Sequence, residues 1–529
     1  MLVHRAVLLS LAAGLASTAG WAAAPANPPG APVAAAAKTV PAPVPKPRTA
    51  VTHHVAEIGG KRIAYTATAG TLLLYDAKHR ATASVFYVAY TRDGVDPARR
   101  PVTFAYNGGP GFASALVDVG GFGPRRIDWP APGDAAAMQP PYRLVDNPDS
   151  ILARTDLVFI DAVGTGYSRI VGNGKPKMFY GIDGDAQAFA QFIERYATQA
   201  HRWNSPKFLL GESYGTTRSA VLAADLVRQG VYVNGVILCS TVLDFATLNF
   251  TAGNDLPFAL YLPSYAAVAW YHHRLPATET LVQAVDSARA YAGSDYLRAL
   301  FAGSTLPAAE RARVASHLAA LTGLPAPLWE RANLRITLPV FMRRLLGADG
   351  PMTGRYDARF TAPELQPLSP TPGTSAAGAS TTAIWGALTA SFDAYLRDDL
   401  HYRSDRPYVQ SSNPVFKAWN WTYRSPLNAL GSGVGNLKSR NVAPALARAM
   451  TNDPGMQVLF NNGYYDMATP FFATDYTIEH LGLDPGALAR IHEAYYPVGH
   501  MLYVNPSVEP ALAHTIDEFI AAAAPRAAR

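Results

Sequence analysis

The chain has 529 residues, 49% hydrophobic and 16% charged, a balance that supports a sizeable packed core and excludes a largely disordered chain. Its formal charge is +6, yet no run of five Lys or Arg occurs, so a nucleic-acid-binding stripe is not expected. The one cysteine, Cys239, excludes an internal disulfide, so stability must come from packing.

In chain order, the opening MLVHRAVLLSLAAGLASTAGWAAAPA has a weakly basic start, a short apolar run and small residues around Ala22–Ala24. It reads as a secretory signal peptide over residues 1–24, too short and Ala/Gly-rich for a membrane anchor. The expectation is an exported protein, periplasmic or secreted, with no stable membrane span after cleavage. Residues 25–50 are Pro/Ala-rich and read as an extended linker. Globular patterning starts at residue 51, where RIAYTATAGTLLLY and ASVFYVAYTR alternate like antiparallel strands. Short apolar runs typical of buried strands follow at 102–106, 156–161, 207–211 and 235–239, with helical stretches at 184–200 and 216–229. Residues 245–450 read as helices and loops, among them a helix at 307–323 and a low-complexity patch at 369–380. Strand signals return at 456–460 and 492–496, and a helix at 508–524 closes the chain. The predicted fold is α/β: a largely parallel central sheet with antiparallel N-terminal strands, formed by residues 51–244 and 451–529 and interrupted by a mainly helical cap at 245–450.

The sharpest chemical motif is LLGESYGTT, a G-x-S-x-G with Ser213 at its centre, between a strand and a helix. That context turns the chain sharply and lifts a serine hydroxyl above the sheet. Serine needs a base, and on such folds an acid and then a histidine follow on loops after later strands. Asp466 in NNGYYDMATP and His500 in YYPVGHMLY stand in those places. Alone, each could be an ordinary loop residue; their order and strand context make them the acid and base. The oxyanion of an acyl-transfer intermediate needs two backbone N–H donors. Tyr214, after the nucleophile, supplies one; Gly109, in the NGGPG loop after the strand VTFAY, supplies the other, since Gly108 and Gly109 permit close approach of the main chain.

YNGGPG, DLVFIDAVGTGYSR, LLGESYG, NGYYDMATP and VGHM, in that order, resemble the signature blocks of the serine carboxypeptidases (peptidase family S10) in their bacterial type. The resemblance implies an α/β-hydrolase fold and removal of C-terminal residues from peptides; the sequence itself shows no metal or cofactor site. The resemblance also implies that Asn107 and Glu212 bind the substrate's free carboxylate, with a preference for acidic pH. One departure stands out. Many family members carry a second Glu in an E-x-G-P context, whereas this chain has GGFGPRR, with Gly121 at that place. That puts the acid preference and strict exopeptidase action in question. Arg125 or Arg126 is an alternative clamp for the carboxylate.

Rival readings keep the scaffold and change the use: an esterase, amidase or acyltransferase with the same triad, or a secreted binding protein without catalysis. Gly-x-Gly in VGTGYS lacks a dinucleotide site's third glycine and acidic partner and reads as a structural loop. His53-His54 and His272-His273 are adjacent pairs that do not suggest a metal site, and Cys239 in GVILC reads as a buried, inert thiol. Side-chain preference and oligomeric state are not legible.

Overall fold

The computed structural model describes residues 42–129, 139–363, 378–424 and 440–524. The signal peptide, most of the linker and residues 369–377 of the low-complexity patch lie outside the described residues.

Ten strands form one mixed sheet. β1 (Thr49–Ile58), β2 (Lys61–Tyr75) and β3 (Ala81–Arg92) run antiparallel. β4 (Val102–Tyr106) enters the middle of the sheet, while β5 (Arg125–Ile127) and β6 (Leu144–Asp146) form a separate pair. β7 (Asp156–Ile160) inserts between β3 and β4, and the two-residue β8 (Arg169–Ile170) pairs with β3. β9 (Lys207–Glu212) and β10 (Gly235–Cys239) extend the parallel part. β11 (Met352–Thr353) and β12 (Thr361–Ala362) form a small hairpin, and β13 (Gln457–Gly463) and β14 (Ile491–Tyr496) complete the sheet. The order β1-β2-β3-β7-β4-β9-β10-β13-β14 has every pair from β7 onward parallel. This is the α/β-hydrolase fold.

The reason lies in the strand sequences. β4, β7, β9 and β10 are buried along their whole length, as Val/Ile/Leu/Phe runs must be when helices cover both faces. Leu209, Val236 and Leu238 face a core shared with helices Ile182–Gln199, Tyr214–Arg228 and Ala443–Asn452. Phe208, Leu210, Ile237 and Cys239 face the opposite core with helices Gly378–Ala394 and Glu509–Ala523. The insertion builds a third core of its own, including Tyr265, Trp329 and Phe341, into which Tyr465, Met467 and Phe471 also pack.

One expectation shifts. Thr49 and Ala50, assigned to the linker, already pair with Gly70 and Ala69, so the sheet starts earlier than residue 51. His53 and His54 therefore lie on strand β1: His53 bonds Thr66 Oγ1 at 3.0 Å and His54 stacks on Tyr65.

Candidate active site

The parallel strands point one way, so the loops after β4, β9, β13 and β14 meet at one edge, where open α/β sheets place their ligands. Ser213 follows β9 directly, with φ 58° and ψ −128°, left-handed geometry that costs a non-glycine residue strain. Its amide donates to Cys239 O at 3.0 Å, and the helix Tyr214–Arg228 starts at the next residue. Ser213 is thus half-exposed at the sharp strand-to-helix turn that the motif foresaw.

Asp466 and His500 meet. Asp466 Oδ2 accepts from His500 Nδ1 at 2.7 Å. The same carboxylate accepts from the amides of Ala468 (2.7 Å) and Thr469 (3.0 Å) and from Thr469 Oγ1 (2.6 Å), so its orientation is fixed from four sides. Ser240 Oγ donates to His500 O at 2.6 Å and holds the histidine loop against β10. Asp466 and His500 are buried. Ser213 and His500 line one cavity of about 370 Å³. No hydrogen bond joins them among the described residues; His500 Nε2 instead faces Glu212 Oε1 at 3.4 Å. Contacts of this kind commonly tighten only when substrate binds.

The imidazole therefore lies between two carboxyl groups. Burial disfavours its charged form, but Asp466, through charge and hydrogen bond, and then Glu212 outweigh burial and raise its pKa above the usual 6.5. The Glu212 carboxyl is also raised, chiefly by burial, with the His500 charge, Asn107 and the Gly108 amide pulling the other way.

The NGGPG loop lies against the turn that carries Ser213. A Cβ on Gly108 would stand 2.4 Å from Tyr214 N and 2.6 Å from Gly215 N, so only glycine fits there. Among the described residues the amides of Gly109 and Tyr214 donate to no protein group, and Gly109 lines the cavity beside Ser213. Two unengaged N–H groups at that place suit a developing oxyanion.

Asn107 and Glu212 also line the cavity, but they are committed to one another. Asn107 Nδ2 donates to Glu212 Oε2 and to Tyr503 Oη, both at 3.0 Å, and its Oδ1 accepts from Val117 N at 3.0 Å. Both amide protons are thus in use inside the protein. Gly121 has a physical reason: a Cβ there would come within 2.3 Å of Tyr503 O. No glutamate fits, and the buried Tyr503 hydroxyl is what stands beside Asn107. Arg125 and Arg126, the alternative clamp, do not line the cavity. Arg125 lies 3.3 Å from Asp146, and Arg126 lies 3.4 Å from Glu509.

Sequence reasoning missed three supports. Arg218, fully buried, bonds Asp185 Oδ2 at 2.7 Å and Asn107 O at 2.7 Å, locking the NGGPG loop to the helix that follows Ser213. Its one signal was its spacing, four residues after Tyr214 on the same helix face. Tyr503 sits one turn after His500 and had no signal at all. The third is the insertion segment Arg355–Ala358. Met467 N donates to Arg355 O, His500 N to Tyr356 O, and Ala358 N to Tyr465 O, so the cap fastens both the acid loop and the histidine loop. Cys239 is buried, and burial pushes its thiol up, as befits an inert group.

Residues 66–238 match the family model described as serine carboxypeptidase. No curated protein matches the chain. Among solved structures, the chain is similar to a proline iminopeptidase from Mycobacterium smegmatis, at 14% identity, with 86% of this chain and 98% of that one covered and a TM-score of 0.36. It is also similar to a peroxisomal alpha-beta-hydrolase from Saccharomyces cerevisiae, at 12% identity, with 91% of each chain covered and a TM-score of 0.34. The match runs from β2 to the penultimate residue of β10, the half of the sheet that carries the loop after β4 and the turn at Ser213.

Proposed function

We propose that the protein is an exported serine carboxypeptidase that releases C-terminal residues from peptides through an acyl-enzyme on Ser213. The observation that carries this reading is the 2.7 Å Asp466–His500 bond, with His500 and Ser213 lining one cavity. In the first half-reaction Ser213 Oγ bonds to the scissile carbonyl carbon and its proton passes to His500 Nε2. The Gly109 and Tyr214 amides receive the negative charge on the carbonyl oxygen. The C–N bond then breaks, and His500 returns the proton to the leaving amine, which departs as the free C-terminal amino acid. Water adds to the ester, gives a proton to His500, and the carbonyl–Oγ bond breaks as Ser213 takes that proton back. Asp466 holds the Nδ1–H tautomer and stabilises the imidazolium throughout.

The signal peptide supports export. Among the described residues no helix is long and apolar enough to cross a membrane. The insertion, which supplies Tyr356, Thr381, Ile384, Trp385 and Ser411 to the cavity wall, caps the cleft.

A second reading, an esterase or amidase with the same triad, is favoured by one observation: no Lys or Arg is among the cavity's lining residues. One experiment decides. A blocked dipeptide and its C-terminal amide are compared as substrates, with a fluorophosphonate as label for the nucleophile. The expected result is faster hydrolysis of the free acid, and loss of both labelling and turnover in Ser213→Ala. Equal rates on acid and amide would leave the broader hydrolase; full turnover by Ser213→Ala would remove the mechanism.

A further inference from the structure

A carboxypeptidase must offer its substrate's terminal carboxylate a positive or donating group, and this cavity is poorly supplied. Asn107 has both amide protons committed, and the two Glu212 oxygens already face Asn107 Nδ2 at 3.0 Å and His500 Nε2 at 3.4 Å. A group of the right kind stands beside the cavity-lining Tyr356. Arg355 is exposed, and among the described residues its guanidinium makes no ion pair or hydrogen bond. It faces the neighbouring Tyr356, whose ring centre lies 5.8 Å from the guanidinium carbon. Tyr356 lines the cavity, and its ring stands 5.2 Å from that of His500. The cation is therefore one aromatic ring away from the catalytic imidazole, on the insertion's side of the cleft.

The backbone beneath it is fixed. Arg355 O accepts from Met467 N at 3.1 Å, Tyr356 O accepts from His500 N, and Gly354 N donates to Phe360 O at 2.8 Å. A long side chain on a pinned backbone, with its head group unengaged, is arranged to meet a ligand rather than to stabilise the fold. The charge is also felt at the site, since it opposes protonation of His500. The neighbouring Arg359 is not equivalent, because Asp357 Oδ2 holds it at 2.6 Å.

Resting on the carboxypeptidase reading, we propose that Arg355 receives the free C-terminal carboxylate of the substrate, in place of the carboxyl pair that Gly121 and Tyr503 leave no room for. The planar guanidinium pairs with a carboxylate through two parallel N–H···O bonds. The carboxylate lies one residue beyond the scissile carbonyl, a step of about 3.8 Å between α-carbons, which keeps the contact local to the catalytic edge.

The test compares wild type, Arg355→Gln and Arg355→Lys on a blocked dipeptide and its C-terminal amide, with kcat and KM separated. The expected result is a KM for the free acid that rises about tenfold or more in Arg355→Gln, as for loss of a charge-assisted pair. Arg355→Lys should recover part of the loss, and the amide should be unaffected. Unchanged fluorophosphonate labelling of Ser213 confirms that the variants fold. An Arg355→Gln enzyme that keeps the full preference for acid over amide overturns the assignment while leaving the carboxypeptidase reading intact. Equal losses on both substrates overturn it as well. A wild-type enzyme with no preference for the free acid removes the reading and the receptor together.

Discussion

His500 can act as a base only when neutral, so the carboxyl groups around it set the lower edge of the activity profile. Asp466 and Glu212 both favour the imidazolium, and with the net shift upward the acid limb of kcat/KM should stand above the ordinary histidine value of 6.5. Glu212→Gln removes one of the two charges while retaining an oxygen that can accept from Asn107. With less negative charge beside Nε2 the histidine pKa falls, so the acid limb should move to lower pH. A pH series of kcat/KM on an ester substrate reads this directly; a limb that does not move would mean that Glu212 does not act on the imidazole as an anion. The proposed triad could be read from the sequence because Ser213, Asp466 and His500 follow strands in a fixed order, a pattern carried by the chain's own linear arrangement. Tyr503 and Arg218 were not, because their roles depend on which residues pack beside them: Phe122 and Gly121 for the one, Asp185 and the Asn107 carbonyl for the other.

At the scale of elements, the loop after β4 and the turn after β9 work as one unit because their backbones touch. Gly108→Ala tests that unit. The added methyl would sit 2.4 Å from Tyr214 N, so either the oxyanion loop or the start of the nucleophile helix must move. Displacing an oxyanion donor costs about 10²–10³ in kcat, with KM changed far less. Steady-state kinetics on an ester substrate measures it; a variant within twofold of wild type would show that the loop has slack the geometry does not suggest. The buried parallel strands were readable almost to their ends, since continuous apolar runs mark strands covered on both faces. β1 was not. It is an edge strand that leaves Val51 and Val55 exposed and buries only Ala56 and Ile58, so its apolar pattern is faint, and it follows directly on a Pro/Ala-rich stretch. The insertion's fastening of Met467 and His500 was equally hidden, because backbone hydrogen bonds made by residues 355–358 leave no trace in side-chain chemistry.

For the whole molecule, the cleft belongs to neither the sheet scaffold nor the cap alone. Phe112 and Leu116 rise from the loop region after β4, while Ile384 and Trp385 descend from the cap helix Gly378–Ala394. Phe112 and Trp385 stack with ring centres 5.4 Å apart, so a pair of aromatic planes closes one wall beside Ser213. Apolar walls favour apolar substrate side chains: burying one contributes about 1.5–3 kcal/mol. Part of that contribution here comes from a residue whose removal leaves the triad untouched. Trp385→Ala should therefore lower kcat/KM about 10- to 100-fold for peptides with large apolar side chains flanking the scissile bond. Peptides with alanine there should change little, and fluorophosphonate labelling of Ser213 should remain. A panel of blocked dipeptides varied at both positions measures the effect and shows which position the wall serves. A uniform loss across the panel would instead mean that Trp385 holds the cap in place. A preference for acidic or basic side chains in the wild type would contradict the apolar wall itself.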